Sequence, residues 1–538
     1  MEGKSAGRGF LILSIAGILG KLLSAIYVPL LTAILTQNGY GIYGAGYDIF
    51  IFLIAITTFG IQPAVTKVVT ELRALGNYKD GLRAMKLSMR YIAIISIIIS
   101  TLFMALSYPI AKLIKAESSA LTFMFLAPAL IFAAILAVFR GYMQGIEDME
   151  SLAVSQVIEQ LVNVILSLVF ASLLLGITGD LRWGSAGGTV GTSLGAIVAL
   201  VYIIYIYYKK DYYGEAEIKH DLRKKKISSK RILKKVMIYA IPITLVAAVQ
   251  NFAGVIDTAT LGISLDMAGF SEKTIYDLRA TLSYYKTLIY VPLAIVTALG
   301  TSIFPKIIQA FVHKNKKELK YQTSYSFRIM YIIVMPATFG LAILSKEIYK
   351  FLLNDSKGYS LLMYGSTLLI FMSITTIQNV ILQGINKTYL IIYSVGLGLL
   401  AKILLNLLLV SIPSINIMGA VIATFVSYII PTIINHKKIK EYFKLNIPII
   451  KQAIVPGICS IIMAAVILLI KPFVVNIFMS LGEGRIIALI ISIILMIVGG
   501  IVYLYTMILF GGIRKKDLDL ISPRLFRYLP RLLRKELI

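Results

Sequence analysis

Residues 10–35 read FLILSIAGILGKLLSAIYVPLLTAIL, an apolar run with one charge, Lys21, near its middle. A helix needs about 20 mainly apolar residues to cross a bilayer, and this run exceeds that. It is too long for a signal-peptide core and has no small-residue cleavage site, so it reads as a retained helix. A charge in hydrocarbon costs roughly 2.5–3.5 kcal/mol on insertion scales, so Lys21 is expected to face a bundle interior or a wet cavity. Ser14, Gly17, Lys21 and Ser24 recur at helical spacing and share one face. Lys21 there either attracts an anionic headgroup such as a diphosphate or pairs with an acid to fix packing.

The rest of the chain repeats this pattern. Of 538 residues, 58% are hydrophobic and 15% charged, with a mean hydropathy of +0.85. The chain is an all-α polytopic membrane protein by composition. Fourteen apolar segments follow one another, at residues 9–35, 41–68, 89–110, 121–140, 151–176, 186–208, 236–262, 280–305, 324–345, 360–382, 389–411, 417–435, 449–470 and 485–511. Pro29, Pro63, Pro242, Pro292, Pro336 and Pro431 fall inside them, each removing a backbone hydrogen bond that neighbours or water must replace.

With the N-terminus placed inside, most of the 53 Lys and Arg residues fall on the inner side. They cluster at Lys209–Lys235, Lys306–Lys320, His436–Lys451 and Arg514–Lys535. The positive-inside rule then gives a multi-pass membrane protein with both termini cytoplasmic. The net charge of +27 is first a topology signal, with anionic membrane lipids as a second partner. Nucleic acid is excluded because the basic runs lack interleaved aromatics and a folded platform. The single cysteine, Cys459, gives no disulfide or Cys-based metal site, and His220, His313 and His436 lie in basic loops. No cofactor or metal site is expected.

The sequence also repeats at about 240 residues. Gly60-Ile-Gln-Pro-Ala-Val-Thr-Lys67 ends segment 2, and Gly300-Thr-Ser-Ile-Phe-Pro-Lys306 ends segment 8. Gln144-Gly145-Ile146 follows segment 4, and Gln383-Gly384-Ile385 follows segment 10. Gly187-Gly-Thr-Val-Gly-Thr192 opens segment 6, and Gly419-Ala-Val-Ile-Ala-Thr424 opens segment 12. The expected organisation is two six-helix lobes, 1–208 and 236–440, related by a pseudo-two-fold axis. A basic cytoplasmic linker, 209–235, joins them. Segments 13 and 14 with a basic tail occupy 441–538. The linker ends, Tyr207–Lys210 and Ile227–Lys235, read as short amphipathic pieces on the membrane surface.

Seven ionisable residues, Lys21, Asp48, Lys67, Glu159, Asp257, Lys286 and Lys402, sit inside apolar segments. A Lys–Asp combination recurs, Lys21 with Asp48 and Asp257 with Lys286, suggesting one polar cavity built by two repeats. Candidate cavity residues are Lys21, Ser24, Tyr47, Asp48, Asn251, Asp257 and Lys286. Candidate coupling or gating residues are Asp257, Lys402, Asn406 and Thr424. In a Lys402–Asp257 pair the bond either breaks during a cycle or is a permanent salt bridge. Lys67, Arg140 and Lys306 lie at the cytoplasmic ends, where each either meets a headgroup or anchors its helix. Ser155, Gln156, Glu159, Gln160 and Asn163 form a polar face expected to pack within the first lobe.

Phe139-Arg-Gly-Tyr-Met-Gln-Gly145, Ala153-Val-Ser-Gln-Val-Ile-Glu-Gln160 and Phe59-Gly-Ile-Gln-Pro-Ala-Val-Thr-Lys67 carry a resemblance over nearly the whole chain. They are similar to the MurJ-type lipid II flippase and stage V sporulation protein B group of the multidrug/oligosaccharidyl-lipid/polysaccharide (MOP) superfamily. The resemblance implies a non-enzymatic flippase with a lipid-linked glycan substrate. It would carry an undecaprenyl-diphosphate-linked precursor, lipid II first, outward by alternating access, with cell-wall synthesis proteins as partners. It also implies a cavity lined by segments 1, 2, 7 and 8, and a lipid-tail groove on segments 13 and 14.

Two departures stand out. The cavity is rich in arginine in the family and carries lysines here, which bind phosphate as point charges without a bidentate fork. Some members bind sodium between segments 7, 11 and 12, where Asp257, Asn406 and Thr424 match. Lys402 occupies the neighbouring turn, so its ammonium is expected to substitute for the cation. Rival readings are an exporter of another lipid-linked polysaccharide, a sporulation-specific flippase, a cation-coupled multidrug exporter, a membrane glycosyltransferase and a nonenzymatic scaffold. The outer loop Ser264–Arg279 is short for a glycosyltransferase.

Overall fold

The computed structural model describes residues 2–214, 221, 227–354, 356–443, 449–479, 482 and 484–513. Among these residues the protein is all-helical, without strands. The helices are α1 Glu2–Ile54, α2 Ile61–Ala74, α3 Tyr78–Ala105, α4 Ser107–Leu113, α5 Ala120–Gly145, α6 Met149–Thr178 and α7 Leu181–Lys209. There follow α8 Ser229–Met267, α9 Glu272–Val312, α10 Lys316–Ile343, α11 Ser345–Leu353, α12 Tyr359–Gly365, α13 Leu368–Gly384, α14 Thr388–Leu409, α15 Ile417–Phe443, α16 Ile449–Met479 and α17 Arg485–Leu509.

Among the described residues twelve helices are long and apolar enough to cross a membrane, thirteen when α12 and α13, bent by 51°, count as one span. The difference from fourteen segments lies at the start. Segments 1 and 2 form one continuous run in α1, broken at Thr36, whose φ is 62° and ψ 177°. A β-branched residue is strained at positive φ, and that strain marks the turn between two spans. Segment 2 is itself interrupted by a π-helical turn, Ala55–Phe59. Pro63 therefore falls in the first turn of α2, where its missing N–H costs little, instead of kinking a span.

Apolar stripes face outward where lipid is expected. Leu161, Ile165, Val169, Leu173 and Ile177 of α6 recur every fourth residue and are all exposed. Such stripes are intolerable on a water-soluble surface and natural in hydrocarbon. The opposite side of α6 meets α7 through small residues. A Cβ added at Gly195 would stand 2.7 Å from the Glu159 carbonyl, and the backbone of Asn163 lies against Gly191 in the same way. Glycines every four residues thus let the two backbones approach.

The chain packs as two compact units. One comprises Met1–Tyr284 with Val395–Ala423, the other Tyr285–Ser394 with Thr424–Ile538. In the first, a core of Val65, Val68, Val69, Met85, Val138, Tyr142 and Ile203 joins α2, α3, α5 and α7. In the second, Cys459, Met463, Ile467, Leu495, Tyr503 and Met507 join α16 to α17.

Two of the three repeated motif pairs occupy equivalent positions, whereas Gly60 packs on Thr244 of α8 and Gly300 on Val380 of α13. Gly145 of α5 packs on Val69 of α2, its added Cβ 2.9 Å from the Val69 side chain. Gly384 of α13 packs on Ile307 of α9, with 3.0 Å for the same test. Gly187 abuts the backbone of the preceding helix at Phe170, and Gly419 that of its own preceding helix at Leu409.

The surface pieces expected at Tyr207–Lys210 and Ile227–Lys235 are instead the end of α7 and the entry into α8. Both are tied down. Asp148 caps α6 and accepts from Lys210 at 2.9 Å and from the Tyr212 hydroxyl. Burial pushes the Asp148 carboxyl up, but bonds from Tyr212, Ser151 and Lys210 outweigh it and hold its pKa below the ordinary carboxylate range. Arg83, paired with buried Asp80 at 2.6 Å, donates to the Ile227 carbonyl at 2.9 Å.

Candidate functional site

The polar groups of α8 face two ways. Asp257 faces α14, where the Lys402 Nζ lies 2.8 Å from its Oδ1. The two side chains are 3% and 1% exposed. One turn further along α14, Asn406 donates to Asp257 at 3.2 Å and to the Thr260 hydroxyl at 2.8 Å. The helical offsets 257/260 and 402/406 align the two pairs side by side. Removing one partner of a buried ion pair strands the other charge and costs roughly 3–5 kcal/mol.

Thr258, the next residue of α8, faces α1 instead. Its hydroxyl donates to Asp48 Oδ2 at 3.3 Å. Gly254 leaves room for that carboxylate, since a Cβ there would touch Asp48 Cγ at 3.4 Å. Tyr47 stacks on Tyr43 with ring centres 5.4 Å apart, and Tyr40 stacks on Tyr284 at 4.7 Å. Tyr27 closes this aromatic wall by donating to the Gly188 carbonyl at 2.9 Å.

The other candidates distribute as follows. Lys21 lies on α1, with its side chain outside the described residues. Ser24 donates to the Gly20 carbonyl at 2.9 Å, and Asn251 to the Ala247 carbonyl at 2.8 Å, each within its own helix. Lys67 sits 3.9 Å over the Tyr239 ring, and Tyr239 donates to Glu71, which also pairs with Lys235 at 2.6 Å. Lys67 is thus an anchor to α8 through a cation–π contact. Arg140 turns into the bundle, 2.7 Å from Glu159 and 3.0 Å from Ser155, and joins α5 to α6. Its geometry is that of packing, not of a headgroup contact at the membrane face. Half-buried Lys286, exposed Lys306 and half-buried Thr424 belong to the second unit.

The Asp257 cluster does not fit a resident cation. The carboxylate already holds an ammonium, and the Asn406 amide turns its donors, not its oxygen, toward it. Among the described residues no group of three His, Cys, Asp or Glu side chains converges.

Sequence reading missed Thr260 and Arg279. Arg279 of α9 is 4% exposed and donates from Nη2 to the carbonyls of Ile114 at 3.1 Å and Thr258 at 3.0 Å. A signal for it exists, because Tyr276, Arg279, Ser283, Lys286 and Tyr290 form one stripe at spacings of three and four. The hydropathy boundary at residue 280 placed Arg279 in a loop.

A lipid-facing all-helical bundle with a buried charge network is the architecture of a membrane transport protein. The chain belongs to the polysaccharide biosynthesis protein family, whose signature matches residues 6–311. It is 27% identical to the lipid II flippase MurJ of Bacillus subtilis (strain 168) over 94% of this chain and 96% of that one. It is 23% identical to stage V sporulation protein B of the same organism, over 85% and 89%. The solved inward-closed conformation of lipid II flippase MurJ matches with a TM-score of 0.67 at 17% identity, over 95% of this chain and 100% of that one. An inward-facing multidrug resistance MATE family transporter of the MOP superfamily matches with a TM-score of 0.63 at 15% identity, over 81% and 98%. The fold is that of MurJ and the MATE transporters, and these relatives are flippases and transporters, not enzymes.

Proposed function

We propose that this protein is a flippase. It moves an undecaprenyl-diphosphate-linked cell-wall precursor, lipid II first among them, from the inner to the outer leaflet of the bacterial cytoplasmic membrane. The observation that carries this reading is the end-to-end similarity to the lipid II flippase MurJ, in sequence and in fold. Both termini lie in the cytoplasm, and residues 1–208 and 236–440 act as the two lobes of an alternating-access cycle. Lys21 and Lys286 attract the diphosphate, and Ser24, Tyr47, Asp48 and Asn251 are further substrate-binding residues. The Asp257–Lys402–Asn406 cluster, with Thr424, gates the cycle. Lys67 and Lys306 steady the cytoplasmic ends. The membrane potential helps reset a cavity of net positive charge, each elementary charge moved being worth about 2.3 kcal/mol per 100 mV. A sporulation-specific peptidoglycan flippase is the second reading, favoured by the match to stage V sporulation protein B.

Proteoliposomes test the substrate directly. The purified protein is expected to move labelled lipid II across the bilayer, at a rate unchanged when sodium replaces potassium at fixed potential. Movement of another undecaprenyl-diphosphate glycan but not of lipid II would transfer the assignment to that substrate. A rate that rises steeply with sodium would show that Lys402 does not stand in for a cation.

A further inference from the structure

We propose that Arg279 is the latch that holds the outer end of the transporter shut, a positioning residue within the transport reading above. Four stretches of chain meet at the first turns of α9, on the side that the charge distribution places outside. Gln37 donates to the Asp277 carbonyl at 2.9 Å, and Asn38 to the Lys273 carbonyl at 2.9 Å. The Ser118 backbone N–H donates to the Tyr276 hydroxyl at 3.1 Å, and its side chain to Glu272 at 2.9 Å. Two of these four contacts, those of Asn38 and of the Ser118 side chain, are exposed, where each is worth little. Arg279 is different, because it is charged and buried, and its two carbonyl acceptors belong to separate parts of the chain. Ile114 follows α4, whereas Thr258 lies within α8. The sequence repeat assigns these to different lobes.

Gly262 makes the contact possible. Its N–H is placed to take the Thr258 carbonyl in the α8 ladder, and its missing side chain leaves that carbonyl open to a second donor. A Cβ at Gly262 would collide with Arg279 Nη2 and with the Ile114 carbonyl oxygen. The same guanidinium keeps Nε and Nη1 buried without acceptors. A buried unsatisfied donor is costly, so the closed arrangement carries a built-in opposing term. Separation of α9 from Ile114 admits water to those donors. The latch is therefore held by two charged hydrogen bonds and opposed by two donors left without acceptors. The same α8 turn carries Asp257 and Thr258, so the latch shares a helix segment with the candidate gating cluster.

The test uses a Cys459→Ser background, free of other cysteines, with a reporter introduced as Ser283→Cys one turn below Arg279. An impermeant thiol reagent is added to right-side-out or inverted membrane vesicles. Arg279→Gln and Gly262→Ala, each at matched membrane level, are expected to raise outside labelling about tenfold or more, the change expected for losing one charged hydrogen bond. Arg279→Lys, which keeps a charged donor, is expected to fall between. A merely structural role lowers protein amount without changing sidedness. Unchanged labelling from both sides in either variant that reaches the membrane would overturn the latch. Increased labelling from the inner side alone would keep the latch and overturn the proposed orientation.

Discussion

Replacing Lys402 with methionine is expected to destabilise the protein by about 3–5 kcal/mol and to abolish transport. The reason is the company of Asp257. Its carboxylate is buried, it takes the Lys402 ammonium at 2.8 Å, and its further support comes from the Asn406 amide. Methionine matches the stem of lysine but leaves the acid unpaired in a low-dielectric interior. Asp257→Asn alone is expected to be as harmful, because it strands the ammonium. The double variant Asp257→Asn with Lys402→Met removes both charges together and is expected to restore stability, since a buried pair replaced by neutral groups is often neutral or stabilising. Transport by the double variant separates the two meanings of the pair. If the ion pair gates the cycle, the restored protein still transports at least about tenfold more slowly, a barrier change of about 1.4 kcal/mol. Wild-type transport by the double variant would reduce the pair to packing. Thermal unfolding in detergent and proteoliposome transport give the two readouts.

Lys286→Ala and Lys21→Ala are each expected to abolish transport while leaving the amount of membrane protein unchanged. Lys286 is half-buried on the polar stripe of α9. Lys21 shares a helical face with Ser14, Gly17 and Ser24. A lysine is a flexible point charge, so removing one takes away attraction for a diphosphate without disturbing a rigid fork. Lys286→Arg keeps the charge and is expected to keep part of the rate. The measurement is translocation of labelled lipid II at equal protein in the liposomes. Full activity in both alanine variants would remove the cavity assignment.

Much of this was legible in the sequence because hydrocarbon is a strict solvent. Apolar segments of spanning length appear as helices throughout, and the repeated Gln-Gly-Ile motifs mark equivalent packing on α2 and α9. The Lys402–Asp257 pair was also readable, since buried charges in membranes seek partners. What escaped was local. No propensity announces that Thr36 adopts a positive φ or that a π-helical turn divides segment 2 before Pro63. Arg140 reads as a membrane-face cation until the fold turns it toward Glu159. Arg279 was lost because hydropathy penalises the residues that hold a span at its polar end. Thr260 was lost because a lone threonine carries no signal until Asn406 reaches it.

The most direct test of the central claim is rescue of a bacterium depleted of its lipid II flippases, with wild type and Lys21→Ala expressed at matched membrane levels. Growth with the wild type alone is the expected result, and it would join lipid II transport to the charged cavity. No growth with wild-type protein present in the membrane would contradict the lipid II assignment and point to another lipid-linked glycan.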